Sequence, residues 1–404
     1  MRALVLFGVA FGIAASSASA LESFTLDPIT IEQGQGKIII ARVDFVDTNL
    51  SRSEASSLFS MNARSQKADV LGRIDAARIR IPELRIETKS GGLLVRSLEI
   101  TGVKRGRFGR FETAGADGAF RFNDAPNGSI RLGALLVEDG DFVQFLQALE
   151  VERAARVAWR FGKFEFAGLD LEIPDGGPGT KSDLLYRIHL DGVTAANAYQ
   201  GDIPLRSRFE MKNLSVTAPP GSTMQRDLED FGYKSIGFSA TASGVYDPAK
   251  KTYALEDFTL RSPDAAALEF KGSFAGVEPE ALLGGPQRFT RMLSTEIARF
   301  SLRFSNSGLV EKAIDYYGRK QNRTPEQVKR EFAALITGMG PMMMGGHPSS
   351  LALAQAVADF VRNPRSLSVL LVARGQPVRM QDVRDMQEPG ALLKLFDLEA
   401  AANR

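Results

Sequence analysis

Apolar residues follow one spacing six times along this chain, at relative positions 1, 3, 6 and 8 with a two-residue break in the middle. The copies are Ile38/Ile40/Val43/Phe45, Ile79/Ile81/Leu84/Ile86, Leu93/Val95/Leu98/Ile100, Phe164/Phe166/Leu169/Leu171, Phe209/Met211/Leu214/Val216 and Tyr253/Leu255/Phe258/Leu260. Period two is typical of a β-strand, because alternate side chains share a face. The slip at the break indicates a β-bulge or a strand that changes face. The spacing therefore predicts a β-rich chain, made either of ordinary amphipathic strands with bulges or of a true structural repeat.

Turn-forming residues follow most copies, where hairpins would need them. They stand at Gly91-Gly92, Gly102, 174–177, 219–221 and Pro263-Asp264. We therefore predict a long antiparallel meander in two portions, 21–178 and 179–304, divided at the glycine-rich loop 176–179. Pro82 predicts an edge strand or a bulge, because proline cannot donate a ladder hydrogen bond.

Helical periodicity interrupts the strand pattern twice before residue 305. Phe142, Phe145, Leu146 and Leu149 recur at i, i+3, i+4 and i+7, which predicts a short helix. Ser222, with Gln225 three residues later, has the capping-box pattern and predicts a second one. Strands are predicted after it at 236–246, 251–261 and 268–274.

From residue 305 onward the pattern becomes mainly helical. An apolar stripe at helical spacing comprises Leu309, Val310, Ala313, Ile314 and Tyr317. Thr324 with Pro325 and Gln327 predicts the start of a second helix, and a third over 351–361 ends before Asn363-Pro364. A strand at 367–373 and a short helix from Pro389 to Phe396 complete this module, 305–404. The predicted fold class is α+β: a long antiparallel meander with a C-terminal helical module.

The first twenty residues have the pattern of a secretory signal peptide. Arg2 gives a positive start, residues 4–15 are apolar, and Ala18-Ser19-Ala20 is an A-x-A cleavage site. The chain has no Cys, so neither lipid attachment at a cysteine nor a disulfide is available to it. We therefore predict an exported, periplasmic protein, soluble or peripherally attached to the envelope. The formal net charge of +2 argues against nucleic acid as a partner.

Residues 244–248 leading into Tyr253/Leu255/Phe258/Leu260, together with the capped C-terminal helices, carry a resemblance over roughly residues 230–400. In this pattern the chain resembles uncharacterised proteobacterial periplasmic envelope proteins, and the β-rich AsmA-like group is closest. AsmA-like proteins generally carry an N-terminal membrane anchor, whereas a cleavable signal is predicted here. The resemblance implies an elongated periplasmic sheet with an apolar groove and a role in lipid handling.

Candidates for catalytic chemistry are few. The sequence contains no Cys nucleophile, G-x-S-x-G elbow, P-loop or H-E-x-x-H motif. A Ser-His-Asp triad would have to use His189 or His347. We expect His189 to be a surface residue beside Arg187 and Asp191. The chain is therefore predicted to be non-catalytic and without a cofactor, and a hydrolase with converging carboxylates is the less favoured alternative.

Two short segments are candidate binding sites. The segment 338–348 offers Met339, Met342, Met343, Met344 and His347, soft donors suited to Cu(I); the alternative is an interhelical loop whose Met side chains fill gaps in the core. The segment 104–111 interleaves cations with aromatic rings, which could hold lipid phosphates while the rings enter an acyl layer; the alternative is a solvated hairpin with its rings turned inward. Its candidate headgroup-binding residues are Lys104, Arg105, Arg107, Phe108, Arg110 and Phe111.

Taken together, these patterns favour a cell-envelope binding or scaffold protein, with an apolar concavity of the sheet that could hold lipid or acyl chains. A copper-binding periplasmic protein is the alternative, ahead of a hydrolase. The expected partners are a lipid or membrane surface, or another envelope protein.

Overall fold

The computed structural model describes residues 21–33, 36–59, 70–121, 127–141, 144, 160–174, 184–282, 288–386 and 388–404. The predicted signal peptide, the helix predicted over 142–149 (apart from residue 144) and the loop 176–179 lie outside the described residues.

The described strands form one antiparallel sheet. Their bounds are β1 Glu22–Leu26, β2 Ile29–Gln33, β3 Gly36–Ile40, β4 Val43–Thr48, β5 Ala76–Thr88, β6 Gly91–Val103, β7 Arg107–Arg121, β8 Asn127–Leu132, β9 Leu135–Asp141, β10 Lys163–Phe166, β11 Leu169–Pro174, β12 Leu185–Leu190, β13 Gly192–Gln200, β14 Ile203–Thr217, β15 Ile236–Asp247, β16 Thr252–Ser262, β17 Ala266–Ala275, β18 Glu296–Asn306, β19 Ser366–Ala373, β20 Val378–Arg379 and β21 Phe396–Ala402. Together with the helices of the C-terminal region, this sheet confirms the α+β fold class.

The sheet contains long strands and pairs of short strands that lie end to end. β3 and β4 together pair with β5, β8 and β9 with β7, and β12 and β13 with β14. From β14 to β18 each strand pairs with the next. β19 then pairs with β18, and β21 with β19. The sheet thus continues from β12 to β18 and on into the C-terminal strands.

The breaks between the short strands lie beside one another in neighbouring strands. Backbone hydrogen bonds link them: the Ala167 amide donates to the Ala134 carbonyl at 2.8 Å, and the Gly133 amide to the Gly168 carbonyl at 2.8 Å. The next break is tied in the same way, because the Asp191 amide donates to the Lys212 carbonyl at 3.1 Å. A line of irregular backbone therefore crosses several strands in succession.

This irregularity keeps the apolar side chains of a strand on one face. Ile40 and Val43 flank the break in the first copy of the spacing, and both are buried in the same cluster. Ile81 and Leu84 flank the break in the second copy and belong to that cluster as well. Without the slip, residues three apart on a strand would point to opposite faces. A change of face is therefore wrong for these copies. Their pairing register is the same on both sides of the break, whereas the register shifts by one residue within the breaks of the fifth and sixth copies. The bulge interpretation is therefore confirmed for the fifth and sixth copies.

The opposite face of the sheet is polar. Ion pairs join neighbouring strands across it, for example Lys37 with Glu87 at 2.9 Å and Arg187 with Glu172 at 3.3 Å. Their side chains are largely exposed, so each pair contributes little to stability. The sheet therefore has one apolar and one hydrated face.

Helices pack on both ends of the apolar face. Their bounds are α1 Arg52–Ser57, α2 Thr223–Asp230, α3 Pro279–Leu282, α4 Arg288–Leu293, α5 Leu309–Gln321, α6 Pro325–Met343, α7 Pro348–Arg362, α8 Met380–Arg384 and α9 Leu392–Leu395. Ala55 of α1 belongs to the core cluster at the β1–β5 end. At the other end α7 packs on β19 and β21, and the ring of Phe360 meets that of Phe304 edge-on at 5.6 Å.

Helix start signals are confirmed where the chain carries them. The Ser222 hydroxyl accepts from the Gln225 amide at the start of α2, and Thr324 and Gln327 form a reciprocal capping box at the start of α6. A second box, Ser51 with Glu54, opens α1. These caps satisfy amides that the first helical turn leaves without partners.

Three local predictions are wrong. Pro82 lies in β5, which is paired on both sides, so it is not on an edge strand. The pairing register does not shift across Pro82, so it does not mark a bulge either. It faces the gap between β3 and β4, where the ladder is interrupted. The segment 338–343 is not a loop but the end of α6, which continues to Met343 and is followed by Gly345 and Gly346 at positive φ. Phe396 begins β21 rather than ending a helix, because the chain pairs there with β19.

Candidate apolar binding site

An apolar cavity of about 260 Å³ opens on the apolar face near β16 and β17. It is lined by Tyr253, Leu255, Phe274, Val277, Ala281, Leu282, Met292, Thr295 and Met380. Tyr253 and Leu255 belong to the sixth copy of the spacing. A space lined in this way offers an apolar ligand burial from water and offers water few hydrogen-bond partners.

The polar side chains that fix the cavity walls are bonded to the backbone. The Thr295 hydroxyl donates to the Met292 carbonyl at 2.7 Å. The buried Tyr246 hydroxyl donates to the Val277 carbonyl at 2.8 Å, and burial raises the pKa of Tyr246, so its phenol stays neutral. Both hydroxyls thus hold the walls in place and leave the lining apolar.

Short helices close the cavity over the sheet. α3 contributes Ala281 and Leu282, α4 contributes Met292, and α8 contributes Met380. The Met380 amide donates to the Thr295 carbonyl at 2.8 Å, which ties α8 to the start of β18. Met292 is 38 % exposed and therefore lies where the cavity meets solvent.

Aromatic rings continue the apolar surface from the cavity across the sheet. The ring of Tyr253 lies 6.3 Å from that of Phe274, and Phe258, Phe270 and Phe300 form a row with ring centroids 5.6 and 5.8 Å apart. Away from the helices, Phe209 and Leu260 are each 37 % exposed. The cavity lining, the row of Phe rings, and Phe209 and Leu260 thus form one apolar surface, which we call the trough.

The basic segment 104–111 forms the turn and strand start between β6 and β7. Phe108 is buried at 3 % exposure, and Phe111 packs against the same core cluster. The prediction that these rings enter an acyl layer is therefore wrong, because the hydrophobic core already holds them.

The cations of this segment lie on the surface, close to carboxylates. Arg110 contacts Glu112 at 2.6 Å and Glu138 at 3.7 Å, and Arg107 approaches Asp202 at 3.7 Å. Lys104 and Arg105 form the turn, and the Arg105 amide donates to Asp75 at 2.7 Å. A role for these four cations in holding lipid headgroups stays a prediction.

The groove beside this turn contains groups that the sequence pattern did not indicate. Its lining includes Arg160 and Tyr199 as well as Lys104 and Arg107. The Arg160 guanidinium stacks over the Tyr199 ring at 4.5 Å and bonds Asp202 at 2.8 Å. Their distance in sequence from residue 104 explains why the octapeptide alone did not reveal them.

The methionine segment lies at the end of α6. Met339, Met342 and Met343 are exposed, the last two at 79 % and 72 %, so the interpretation that they fill gaps in the core is wrong. Met344 ends the helix, and His347 caps α7, with its Nδ1 accepting from the Ser349 amide at 3.2 Å. Copper binding by these residues stays a prediction.

His189 lies on the polar face between two carboxylates. Its Nδ1 is 2.7 Å from Asp170 and its Nε2 is 2.8 Å from Asp191, and hydrogen bonds to Asp170 and then Asp191 raise the pKa of His189. With both ring nitrogens engaged, the imidazole is not set up to take a proton from a serine hydroxyl. Among the described residues, no group of three or more His, Cys, Asp or Glu side chains could hold a metal ion.

Sequence reasoning named no residue of the cavity as a site. The spacing predicts that Tyr253 and Leu255 are strand residues. The lining residues Val277, Ala281, Met292, Thr295 and Met380 come from connections and short helices. No spacing links such residues before the chain folds. The alternation at 253–260 was the one available signal that this face is apolar.

Comparison with known proteins gives a match to a family model over part of the chain, and no activity. Residues 259–403 match the model of a protein family that is described as an uncharacterized protein. The match covers most of the cavity lining, although Tyr253 and Leu255 precede it. No curated protein matches the chain in a sequence search, and no helix among the described residues is both long and apolar enough to cross a membrane.

Proposed function

We propose that this protein is a non-catalytic, exported cell-envelope protein that binds acyl chains of lipids in its trough. The observation that carries the proposal is the cavity of about 260 Å³, whose wall-fixing hydroxyls of Tyr246 and Thr295 are bonded to the backbone. An apolar cavity of this kind gains free energy by exchanging water for hydrocarbon.

The trough favours a chain-like ligand over a compact one. The cavity is continuous with the row formed by Phe258, Phe270 and Phe300, and the exposed Leu260 and Phe209 extend the same surface. A flexible acyl chain can lie along such a surface with one end in the cavity. A compact polar substrate would find few hydrogen-bonding groups among the described lining residues to orient it.

The first test asks whether lipid accompanies the protein. The chain is purified without detergent, and an organic extract is analysed by mass spectrometry beside a control protein prepared in the same way. Near-stoichiometric fatty acid or phospholipid is expected. A clean extract would favour the scaffold alternative, and a search for protein partners by pull-down would follow.

The second test places the ligand. Met292→Glu introduces a carboxylate at the cavity mouth. We expect it to weaken binding of the fluorescent fatty acid cis-parinaric acid about tenfold or more, because an acyl chain that enters the cavity would desolvate the introduced carboxylate. Met339→Glu is the matched control, since it makes the same change at an exposed position of α6. Equal affinity of both variants for cis-parinaric acid would overturn the assignment of the fatty-acid site to the cavity.

A further inference from the structure

The hairpin formed by the end of α6 and the start of α7 has a long uncharged tip. No Asp, Glu, Lys or Arg occurs in residues 332–358, whereas Lys329, Arg330 and Glu331 precede this run and Asp359 and Arg362 follow it. From Lys329 to Met343 the helix rises about 20 Å at 1.5 Å per residue. Charge is thus confined to the base of the hairpin.

Large apolar side chains cover the outer surface of this tip. Leu335, Met339 and Met342 recur at i, i+4 and i+7 on α6, so they lie on one side of the helix. Met343 and Leu351 extend the patch, and each of these five residues is more than half exposed. Such a patch marks a surface that contacts something other than water.

Several polar side chains within the tip bond to the hairpin itself. The Thr337 hydroxyl donates to the Ala333 carbonyl at 2.9 Å, and the Ser350 hydroxyl donates to the His347 carbonyl at 2.5 Å. His347 accepts from the Ser349 amide, and the Gln355 amide group donates to Asp359 at 2.9 Å. A protein partner would be expected to find free polar groups at the rim of an interface, whereas hydrocarbon requires polar groups to be satisfied internally.

The turn backbone is satisfied in the same way. The Met344 amide donates to the Gly340 carbonyl at 3.2 Å, the Gly345 amide to the Met342 carbonyl at 3.1 Å and the Gly346 amide to the Pro341 carbonyl at 2.8 Å. The helix end therefore brings few unpaired amides to a surface where apolar side chains project.

We propose that the tip of the α6–α7 hairpin inserts into the interfacial region of a lipid bilayer. Interfacial helices bury an apolar side about 5–10 Å deep, and the uncharged length of the hairpin exceeds this depth. The inference does not rest on acyl binding in the trough, because it comes from a different part of the molecule.

The first test uses the absence of cysteine from the chain. Met343→Cys gives a single attachment point for an environment-sensitive nitrobenzoxadiazole label on the full chain. Adding phosphatidylcholine vesicles is expected to shift its emission to shorter wavelength. The same label at Lys250→Cys, in the exposed β15–β16 turn, is expected to show no shift. Equal shifts at both sites, or no shift at Met343→Cys, would overturn the proposal.

The second test asks which forces hold the protein on vesicles. In flotation with phosphatidylcholine vesicles, the double variant Met342→Glu/Met343→Glu is expected to bind at least tenfold more weakly, and Met342→Leu/Met343→Leu is expected to bind like the natural chain. Binding should persist in 0.5 M salt. Unchanged binding by the glutamate variant, or loss of natural binding in salt, would overturn apolar insertion. Self-association that the glutamate variant abolishes, without any vesicle binding, would identify a second copy of the chain as the occupant instead.

The two proposals can fail separately. Met292→Glu should weaken fatty-acid binding and leave vesicle flotation unchanged, whereas Met342→Glu/Met343→Glu should do the reverse. The altered methionines are exposed, and circular dichroism of each variant checks that the fold is kept.

Discussion

At the scale of single residues, the polar face offers a sharp electrostatic test at His189. Its two ring nitrogens lie 2.7 and 2.8 Å from the carboxylates of Asp170 and Asp191. Both contacts favour the imidazolium, and hydrogen bonding to Asp170 is the larger cause of the raised pKa of His189. The hydrogen bond between His189 and Asp191 also lowers the pKa of Asp191.

We predict that His189 titrates above 6.5, its ordinary pKa, and that Asp170→Asn lowers this pKa more than Asp191→Asn does. Because the pKa is raised in the folded state, the contribution of His189 to stability is fully present below pH 6.5 and is lost as pH rises through the folded pKa. Proton NMR of the imidazole measures the pKa, and thermal unfolding against pH checks the sign. A His189 pKa at or below 6.5 would contradict the geometry.

Glu54 makes a second residue-scale prediction, at the capping box of α1. Hydrogen bonding to the Ser51 backbone, with further bonds from Arg73 and Ser51, lowers the pKa of Glu54 to about 2. Glu54→Ala should therefore cost roughly 1 kcal/mol or less in urea unfolding, since the side chain is partly exposed. Glu54→Gln should cost less than Glu54→Ala, because Gln327 completes the same kind of box in α6.

The contribution of Glu54 to stability depends on pH with the opposite sign to that of His189. The stabilisation by Glu54 is present above its ordinary pKa of 4.5 and is lost as pH falls through about 2. Equal unfolding free energies for the natural chain and Glu54→Ala at neutral pH would contradict the capping role.

At the scale of elements, the cavity depends on contacts between strands and their connections. Tyr246 of β15 donates to the Val277 carbonyl, in the connection between β17 and α3. Tyr246→Phe leaves this buried acceptor without its donor, and we predict a loss of about 1–2 kcal/mol in unfolding free energy, together with weaker fatty-acid binding. Tyr317→Phe is the control, because Tyr317 is exposed. Equal effects of the two changes would contradict the role of Tyr246.

The line of strand breaks predicts a strict requirement for glycine. A Cβ on Gly133 would overlap the Ala167 carbonyl oxygen, whereas a Cβ on Gly201 would meet open space. Gly133→Ala should therefore cost about 2–4 kcal/mol in urea unfolding. Gly201→Ala should cost about 1 kcal/mol, because only its positive φ is strained. The reverse order would contradict the packing of the break.

Local signals are enough to predict the central strands. Strands predicted at 236–246, 251–261 and 268–274 are found at Ile236–Asp247, Thr252–Ser262 and Ala266–Ala275, since alternation and turn residues agree there. The signals failed where tertiary pairing decides, as at β21, whose Ala400 and Ala402 are weak strand formers that pair with β19.

The candidate site was harder to predict than the strands. The alternation at Tyr253 and Leu255 indicated an apolar face, but the helices that bring Met292 and Met380 over that face are too short to carry a pattern. The exposure of Met342 also could not be read from sequence, because a methionine at a helix end can fill a core or face outward.

At the scale of the whole molecule, the sheet separates two environments. Ion pairs such as Lys37 with Glu87 cover its polar face, and its apolar face is covered by helices at both ends but carries the exposed Phe209 and Leu260 between them. This arrangement leaves an extended apolar surface on one face of the sheet. We predict that a lipid chain lies along that surface.

Photo-crosslinking with a labelled fatty acid maps where the acyl chain lies on the protein. The full chain is incubated with a palmitic acid that carries a diazirine, irradiated, digested and mapped by mass spectrometry. We predict crosslinks in β16 and β17 and in residues 277–282 and 288–295, reduced by Met292→Glu and unaffected by Met339→Glu. Crosslinks confined to polar-face residues such as Arg187 and Glu172, or crosslinking that excess unlabelled palmitic acid fails to reduce, would contradict it.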